Sequence, residues 1–163
     1  MSKDGLVAAL KYSQDLIAFR DSKEAEDFFS TYRTSLLEEL EEISAGSGVF
    51  TPDYSVDSLD TLEKWYFYLY ENESFSRIGE TKEAFEKMME IYFGEIAVRS
   101  SEEANWIVRE FPFFKGKYEL LVKKGLMSMS IVGKYQNLQS VQGNKRKNLM
   151  LREYKKYFQP QKK

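Results

Sequence analysis

The spacing of apolar residues changes near residue 100, and this change limits the possible folds more than any other feature of the chain. Before that point, apolar residues recur at helical intervals. The clearest series consists of Ala25, Phe28, Phe29, Tyr32, Leu36, Leu40 and Ile43. After that point, short runs rich in β-branched and aromatic residues are separated by Pro112, Gly116 and Gly125. Such runs are typical of consecutive antiparallel strands, so the order of the two patterns predicts an α+β fold.

Four helices are predicted before the strands, at about residues 3–19, 21–46, 59–70 and 81–100. Three strands follow at about residues 105–111, 118–122 and 126–132, with a tight hairpin at Gly125. A final helix has an apolar side made of Met150, Leu151, Tyr154, Tyr157 and Phe158. We therefore expect one domain over residues 1–163, with four helices packed on a small antiparallel sheet and residues 145–163 forming a basic C-terminal helix and tail.

The third predicted helix contains an unbroken aromatic run from Trp65 to Tyr70. Such a run has strand propensity, but the residues before it and the helical spacing of its apolar positions favour a helix. On that helix, Phe67 and Tyr68 lie outside the apolar stripe. The segment is therefore either buried on two sides or presents these rings to a partner.

The chain contains no histidine and no cysteine. This absence excludes an ordinary hydrolase triad, a thiol enzyme and a zinc site. The glycine-rich motifs that hold nucleotide phosphates are also missing. We therefore expect a protein that is not an enzyme and has no catalytic residues and no cofactor.

Glu38 and Glu42 lie one helical turn apart, as a carboxylate-bridged metal site requires. Helical di-metal sites normally add a histidine three residues after a glutamate, and this chain has none. A solvated helix face explains the acids better, so no metal site is expected.

Charge is unevenly distributed along the chain. Residues 134–163 hold nine basic residues and one acid, whereas residues 1–133 hold 15 basic and 25 acidic residues. An acidic body attracts basic proteins and repels nucleic acids and anionic membranes. We therefore expect a partner that is another protein, of basic character, and neither nucleic acid nor membrane.

Aromatic residues make up 15% of the chain, enough to fill a core and still supply rings to a surface. The predicted function is non-enzymatic protein binding through an acidic and aromatic surface. The candidate partner-binding residues are Glu38, Glu42, Trp65, Phe67 and Tyr68.

Two other functions remain open. Basic residues interleaved with aromatic ones in the C-terminal helix can neutralise phosphates and stack on bases. The nucleic-acid contacts would then be Lys145, Arg146, Lys147, Lys155 and Lys156. A carboxylate-based enzyme is the third possibility, and it requires two or more acids with raised pKa values converging in one cavity.

The first twenty residues contain Lys3, Asp4, Lys11 and Asp15, where a signal peptide needs an uninterrupted apolar stretch. No apolar run approaches the length of a membrane span. A cytoplasmic location is therefore expected.

Two short segments and one tryptophan resemble those of small uncharacterised bacterial α+β proteins, some of which are immunity proteins of polymorphic toxins. They are Ser-Val-Asp-Ser-Leu-Asp-Thr-Leu-Glu at 55–63, Ile-Tyr-Phe-Gly-Glu-Ile at 91–96, and Trp106 on the first predicted strand. The resemblance covers about residues 55–132. It implies a helix docked on a small sheet, with Gly94 permitting close packing and Trp106 filling the space beneath. It also implies an immunity or accessory role, without catalytic residues.

Overall fold

A computed structural model describes residues 2–159 as five helices and one four-stranded antiparallel sheet. In chain order, the elements are α1 (Lys3–Gln14), β1 (Ile17–Ala18), α2 (Ser22–Ser47), α3 (Ser58–Glu71), α4 (Lys82–Ser100), β2 (Ala104–Glu110), β3 (Lys117–Lys124), β4 (Met127–Ser130) and α5 (Leu149–Phe158). Single turns of 3₁₀ helix occur at Phe75–Ile78, Leu138–Ser140 and Gly143–Lys145. The mixed fold of helices with a small antiparallel sheet is confirmed.

The ends of the long helices follow the sequence signals. The side chain of Asp21 accepts a hydrogen bond from the backbone N–H of Glu24 at 2.9 Å, and this cap begins α2. Thr81 caps α4 in the same way through the N–H of Ala84. Helix α2 ends at Gly48, whose φ of 68° is the left-handed conformation that glycine adopts without strain.

The sheet is built around β3. Strand β2 pairs with β3 from Ala104 to Glu110 on one side, while β1 and β4 pair with opposite ends of β3 on the other. Two predictions are wrong here. The sheet has four strands and not three, and the first helix ends at Gln14 and does not reach residue 19. Ile17 and Ala18 leave the helical path and pair with β3.

Helices α2 and α4 pack against each other and against β2 and β3, while α3, α4 and α5 pack against one another. Gly94 on α4 lies directly against Trp106 on β2, because a Cβ atom at residue 94 would lie 2.2 Å from the indole ring. The indole Nε1 also donates to Glu95 at 2.9 Å. The expected packing of Gly94 against Trp106 is confirmed, and it fixes the helix on the sheet.

Within residues 2–159, no helix combines the length and the apolar character needed to cross a lipid bilayer.

Candidate functional site

Glutamates in the protein interior connect separate segments of the chain. Glu63, Glu86, Glu90 and Glu119 are each no more than 4% exposed. Glu63 on α3 accepts the N–H of Met150 at the start of α5, at 3.1 Å. Burying a carboxylate is unfavourable unless donors surround it, so each of these groups indicates a fixed junction.

Two of these glutamates lie one turn apart on α4 and hold the segment that follows β4. Glu86 accepts from the hydroxyl of Tyr66 at 2.6 Å, from Lys82 Nζ at 3.0 Å and from the N–H of Asn137 at 3.2 Å. Glu90 accepts from two further backbone N–H groups, those of Gly133 and Tyr135, at 3.0 and 2.8 Å. Segment 133–137 is therefore fixed to α4 by carboxylates.

Burial raises the pKa of Glu90 to about 7. The two N–H groups of segment 133–137 oppose this shift, since they stabilise the carboxylate, whereas the nearby charge of Glu86 adds to it. Glu90 therefore changes charge near neutral pH, although it has no imidazole or thiol neighbour.

Glu86 and Glu90 form part of the wall of a cavity of about 500 Å³ between α1, α4 and the segment after β4, which we call the glutamate cavity. Its other charged lining residues are Asp15, Glu83, Lys87 and Lys134. Several acids thus converge in this cavity, as a carboxylate enzyme requires, and burial raises the pKa of Glu90 among them. Both buried glutamates already accept hydrogen bonds from the protein itself, which favours a structural role.

Residues 2–159 contain no group of three or more acidic side chains placed to hold a metal ion. Glu38 and Glu42 are both exposed on α2.

A second concave surface contains residues from both the aromatic run of α3 and the basic C-terminal region. Phe67 and Tyr68 on α3 lie beside Arg146 and Lys147, and together they line a groove of about 430 Å³. We call it the α3 groove. The aromatic run and the basic tail therefore contribute to one surface.

Arg146 organises the α3 groove. Its guanidinium lies 3.7 Å from the centre of the Phe67 ring and donates to Glu71 at 3.0 Å. Phe67 is consequently half-buried, whereas Tyr68 is 60% exposed. Stacking of a guanidinium on a ring fixes both side chains, so the groove has a defined floor before any partner arrives.

One of the predicted partner contacts is corrected. Trp65 is 3% exposed and packs against Phe50 and Phe85, so it is a core residue and no partner can reach it. Glu38 and Glu42 are exposed, but they do not line the α3 groove. The prediction that Glu38 and Glu42 contact a partner therefore stays a prediction.

Some basic residues of the C-terminal region bond to other groups of the protein, and others are exposed to solvent. Arg146 binds Glu71, Lys134 binds Glu153, and Arg152 donates to the carbonyl oxygens of Lys145 and Lys147. The side chains that remain exposed to solvent include Lys145, Lys147, Lys155 and Lys156. Lys162 and Lys163, also counted in the basic tail, lie outside the described residues.

The buried glutamates were not predicted as structural residues. A signal was present in α4, where Glu90 stands between Met89 and Ile91 on a helix rich in apolar residues. An acid in such a position must find donors in another segment.

Comparison with known proteins places the chain in a family. The model of the family described as "Uncharacterised protein YwmA" matches residues 18–158. The uncharacterized protein YwmA of Bacillus subtilis (strain 168) is 32% identical over 110 residues, which are 68% of this chain and 69% of that protein. The comparisons support the expected likeness to an uncharacterised bacterial protein, and they do not show the likeness to immunity proteins. No solved structure matches the chain. The chain belongs to the YwmA family.

Proposed function

We propose that this protein binds another protein, without catalysis, and that the α3 groove receives a side chain of the partner. The observation that carries the proposal is the exposure of Tyr68, 60%, at the edge of a groove whose floor is already fixed by Arg146 and Phe67. Tyrosine and arginine are enriched at the centres of protein interfaces because they offer large contact area with polar ends.

The polar groups of the groove suit a protein partner. Arg146 and Glu71 form an ion pair at its edge, which offers both donors and acceptors to an arriving backbone or side chain. Lys147 adds an exposed positive charge. The acidic surplus of residues 1–133, including Glu38 and Glu42, supports the further proposal of a partner with basic character elsewhere on its surface.

Nucleic-acid binding is the competing function, and the contacts of the basic residues weigh against it. Arg146, Arg152 and Lys134 are engaged within the protein, so fewer cations are free for phosphates than the sequence suggests. Fluorescence anisotropy of labelled single-stranded RNA and DNA at low salt separates the two functions. Binding that weakens steeply with salt and is lost in the Lys155→Glu/Lys156→Glu variant would favour nucleic acid.

Photo-crosslinking tests the α3 groove directly. A photoreactive phenylalanine analogue replaces Tyr68 in one variant and Tyr70 in a matched control, since Tyr70 is 41% exposed on the same helix and does not line the groove. Each variant is irradiated in its native cells, and adducts are identified by mass spectrometry. We expect a discrete protein adduct from position 68 only, and its loss when Arg146→Ala removes the floor of the groove.

Either of two results would overturn the proposal. One is the absence of any adduct specific to position 68. The other is an adduct from position 68 whose yield Arg146→Ala leaves unchanged. Circular dichroism of each variant establishes that the fold is retained.

A further inference from the structure

Strand β4 forms a free edge of the sheet. Its backbone pairs with β3 in the register Val122 with Met129 and Lys124 with Met127. The N–H of Ile131 continues the same ladder by donating to the carbonyl of Leu120 at 3.0 Å. Because hydrogen-bonded and non-bonded positions alternate in an antiparallel pair, the intervening residues direct their backbone groups away from β3.

Those outward-facing residues are Ser128 and Ser130. Within residues 2–159, their outward N–H and C=O groups have no hydrogen-bond partner. Unpaired backbone groups along an edge strand are the groups to which an extended peptide adds in β-augmentation.

Helix α5 faces this edge and turns it into a groove of about 450 Å³. Met127 and Met129 line it from the strand, and Tyr157, which is 40% exposed, lines it from the helix. Methionine side chains adapt to different partners, and an exposed ring offers contact area. The groove therefore combines strand pairing with an apolar surface.

The charged residues that line this groove carry a net positive charge. Glu153, the acid among its lining residues, is paired with Lys134. Lys156 is exposed in the lining, and Lys155 is exposed beside it on α5. An occupant that carries negative charge is complementary to this surface.

The opposite edge of the sheet gives a useful contrast. The backbone groups of Trp106 and Val108 on β2 also point away from β3, by the same alternation. The groove beside them, however, is lined by one acid and one base of α2, Glu26 and Arg33. The β2 edge therefore favours neither sign of charge in an occupant, whereas the β4 edge favours a negative charge.

We propose that the groove between β4 and α5 binds an extended acidic segment of another protein, which adds to the sheet as a further strand along Ser128 and Ser130. This site is separate from the α3 groove and does not depend on the function proposed for that groove. An acidic side chain of the segment would meet Lys156, and apolar side chains on the same face of the segment would contact Met127 and Met129, since all three residues line the groove.

Selection from a library tests the proposal. The full chain is panned against random twelve-residue peptides displayed on phage, and the enriched peptides are synthesised. We expect aspartate or glutamate to be enriched in the selected peptides. Lys156→Glu should weaken binding roughly tenfold, since it places a negative charge in the groove. Lys145→Glu is the control, because it makes the same charge change outside this groove, and Tyr68→Ala should leave the affinity unchanged.

Amide hydrogen exchange measured by NMR reports strand addition itself. In the free protein, the amides of Ser128 and Ser130 should exchange faster than those of Met127 and Met129, which bond to β3. Bound peptide should slow the two serine amides at least about tenfold, because each gains a hydrogen bond. Failure to enrich acidic peptides would overturn the proposal, and so would bound peptides that leave the serine amides unprotected.

Discussion

Helix α4 is buried around most of its circumference, whereas helix α1 leaves its apolar side chains in solvent. On α4, every residue from Met88 to Gly94 is buried, including Glu90. On α1, Leu6, Val7 and Leu10 are 48%, 58% and 43% exposed, and Ser13 is the buried residue. Both segments show helical spacing of apolar residues, so the spacing identifies a helix but not how much of it is covered.

The two helices are attached to the molecule in different ways. Helix α4 is fixed by the Gly94 and Trp106 contact and by carboxylates that bind other segments. Helix α1 is attached near its end, where the hydroxyl of Tyr12 donates to buried Glu119 at 2.8 Å. The family model matches from residue 18 onward, after α1. Substitutions in α4 should therefore affect stability far more than substitutions of the exposed apolar residues of α1.

The largest expected effect is the pH dependence produced by Glu90. Its pKa is raised from 4.5 to about 7 in the folded protein, so the folded state binds more protons than the unfolded state between these values. The contribution of Glu90 to the free energy of unfolding is therefore fully present below about pH 4.5 and is lost as the pH rises through about 7. The loss amounts to as much as about 3 kcal/mol.

Urea unfolding at pH 5, 6, 7 and 8 measures this effect. Glu90→Gln should flatten the decline in stability over this range. Glu80 contributes with the same sign, because burial and the neighbouring carboxyl of Glu39 raise its pKa to about 7. Glu80→Gln therefore serves as a comparison. The free energy of unfolding of the double variant should depend less on pH than that of either single variant. If the stability of Glu90→Gln declines with pH as steeply as that of the natural protein, Glu90 is not the source of the decline.

Gly94→Ala should have the next largest effect. The added methyl group would overlap the ring of Trp106, so α4 and β2 must move apart, at a cost of about 2 kcal/mol. Gly46→Ala is the matched control. It also places alanine in a helix, but nothing lies within 4 Å of its Cβ, so it should be neutral or stabilising by up to about 1 kcal/mol. Urea unfolding of both variants checks the contrast, and equal effects would contradict it.

Much of the fold can be predicted from local signals. Caps at Asp21 and Thr81 and the change in apolar spacing predict the long helices and the later strands. The two-residue strand β1 cannot be predicted in this way, since Ile17 and Ala18 continue a helical spacing and become a strand only by pairing with Tyr118 and Lys117. Tertiary contacts outweigh local propensity in so short a segment.

The binding surfaces depend even more on contacts between distant parts of the chain. Tyr68 was correctly predicted to be exposed and Trp65 was wrongly predicted to contact a partner, although both belong to one aromatic run. The two side chains differ in exposure because they lie on different faces of α3. Phe50 and Phe85 cover Trp65, whereas Tyr68 is 60% exposed. The joining of Phe67 with Arg146 spans nearly eighty residues of chain, and no local pattern contains it.

We expect the smallest changes in stability in helix α1. This helix also separates exposed apolar residues from a tyrosine that is hydrogen-bonded to a buried carboxylate. Leu6→Ser and Leu10→Ser should each change the free energy of unfolding by less than about 0.5 kcal/mol, because both side chains are largely in solvent. Tyr12→Phe should cost about 1.5 kcal/mol, since it removes a hydrogen bond to a buried carboxylate. Urea unfolding of the three variants at one pH provides the test. If the leucine variants are destabilised more than Tyr12→Phe, then α1 is held by its apolar side, and the contrast with α4 disappears.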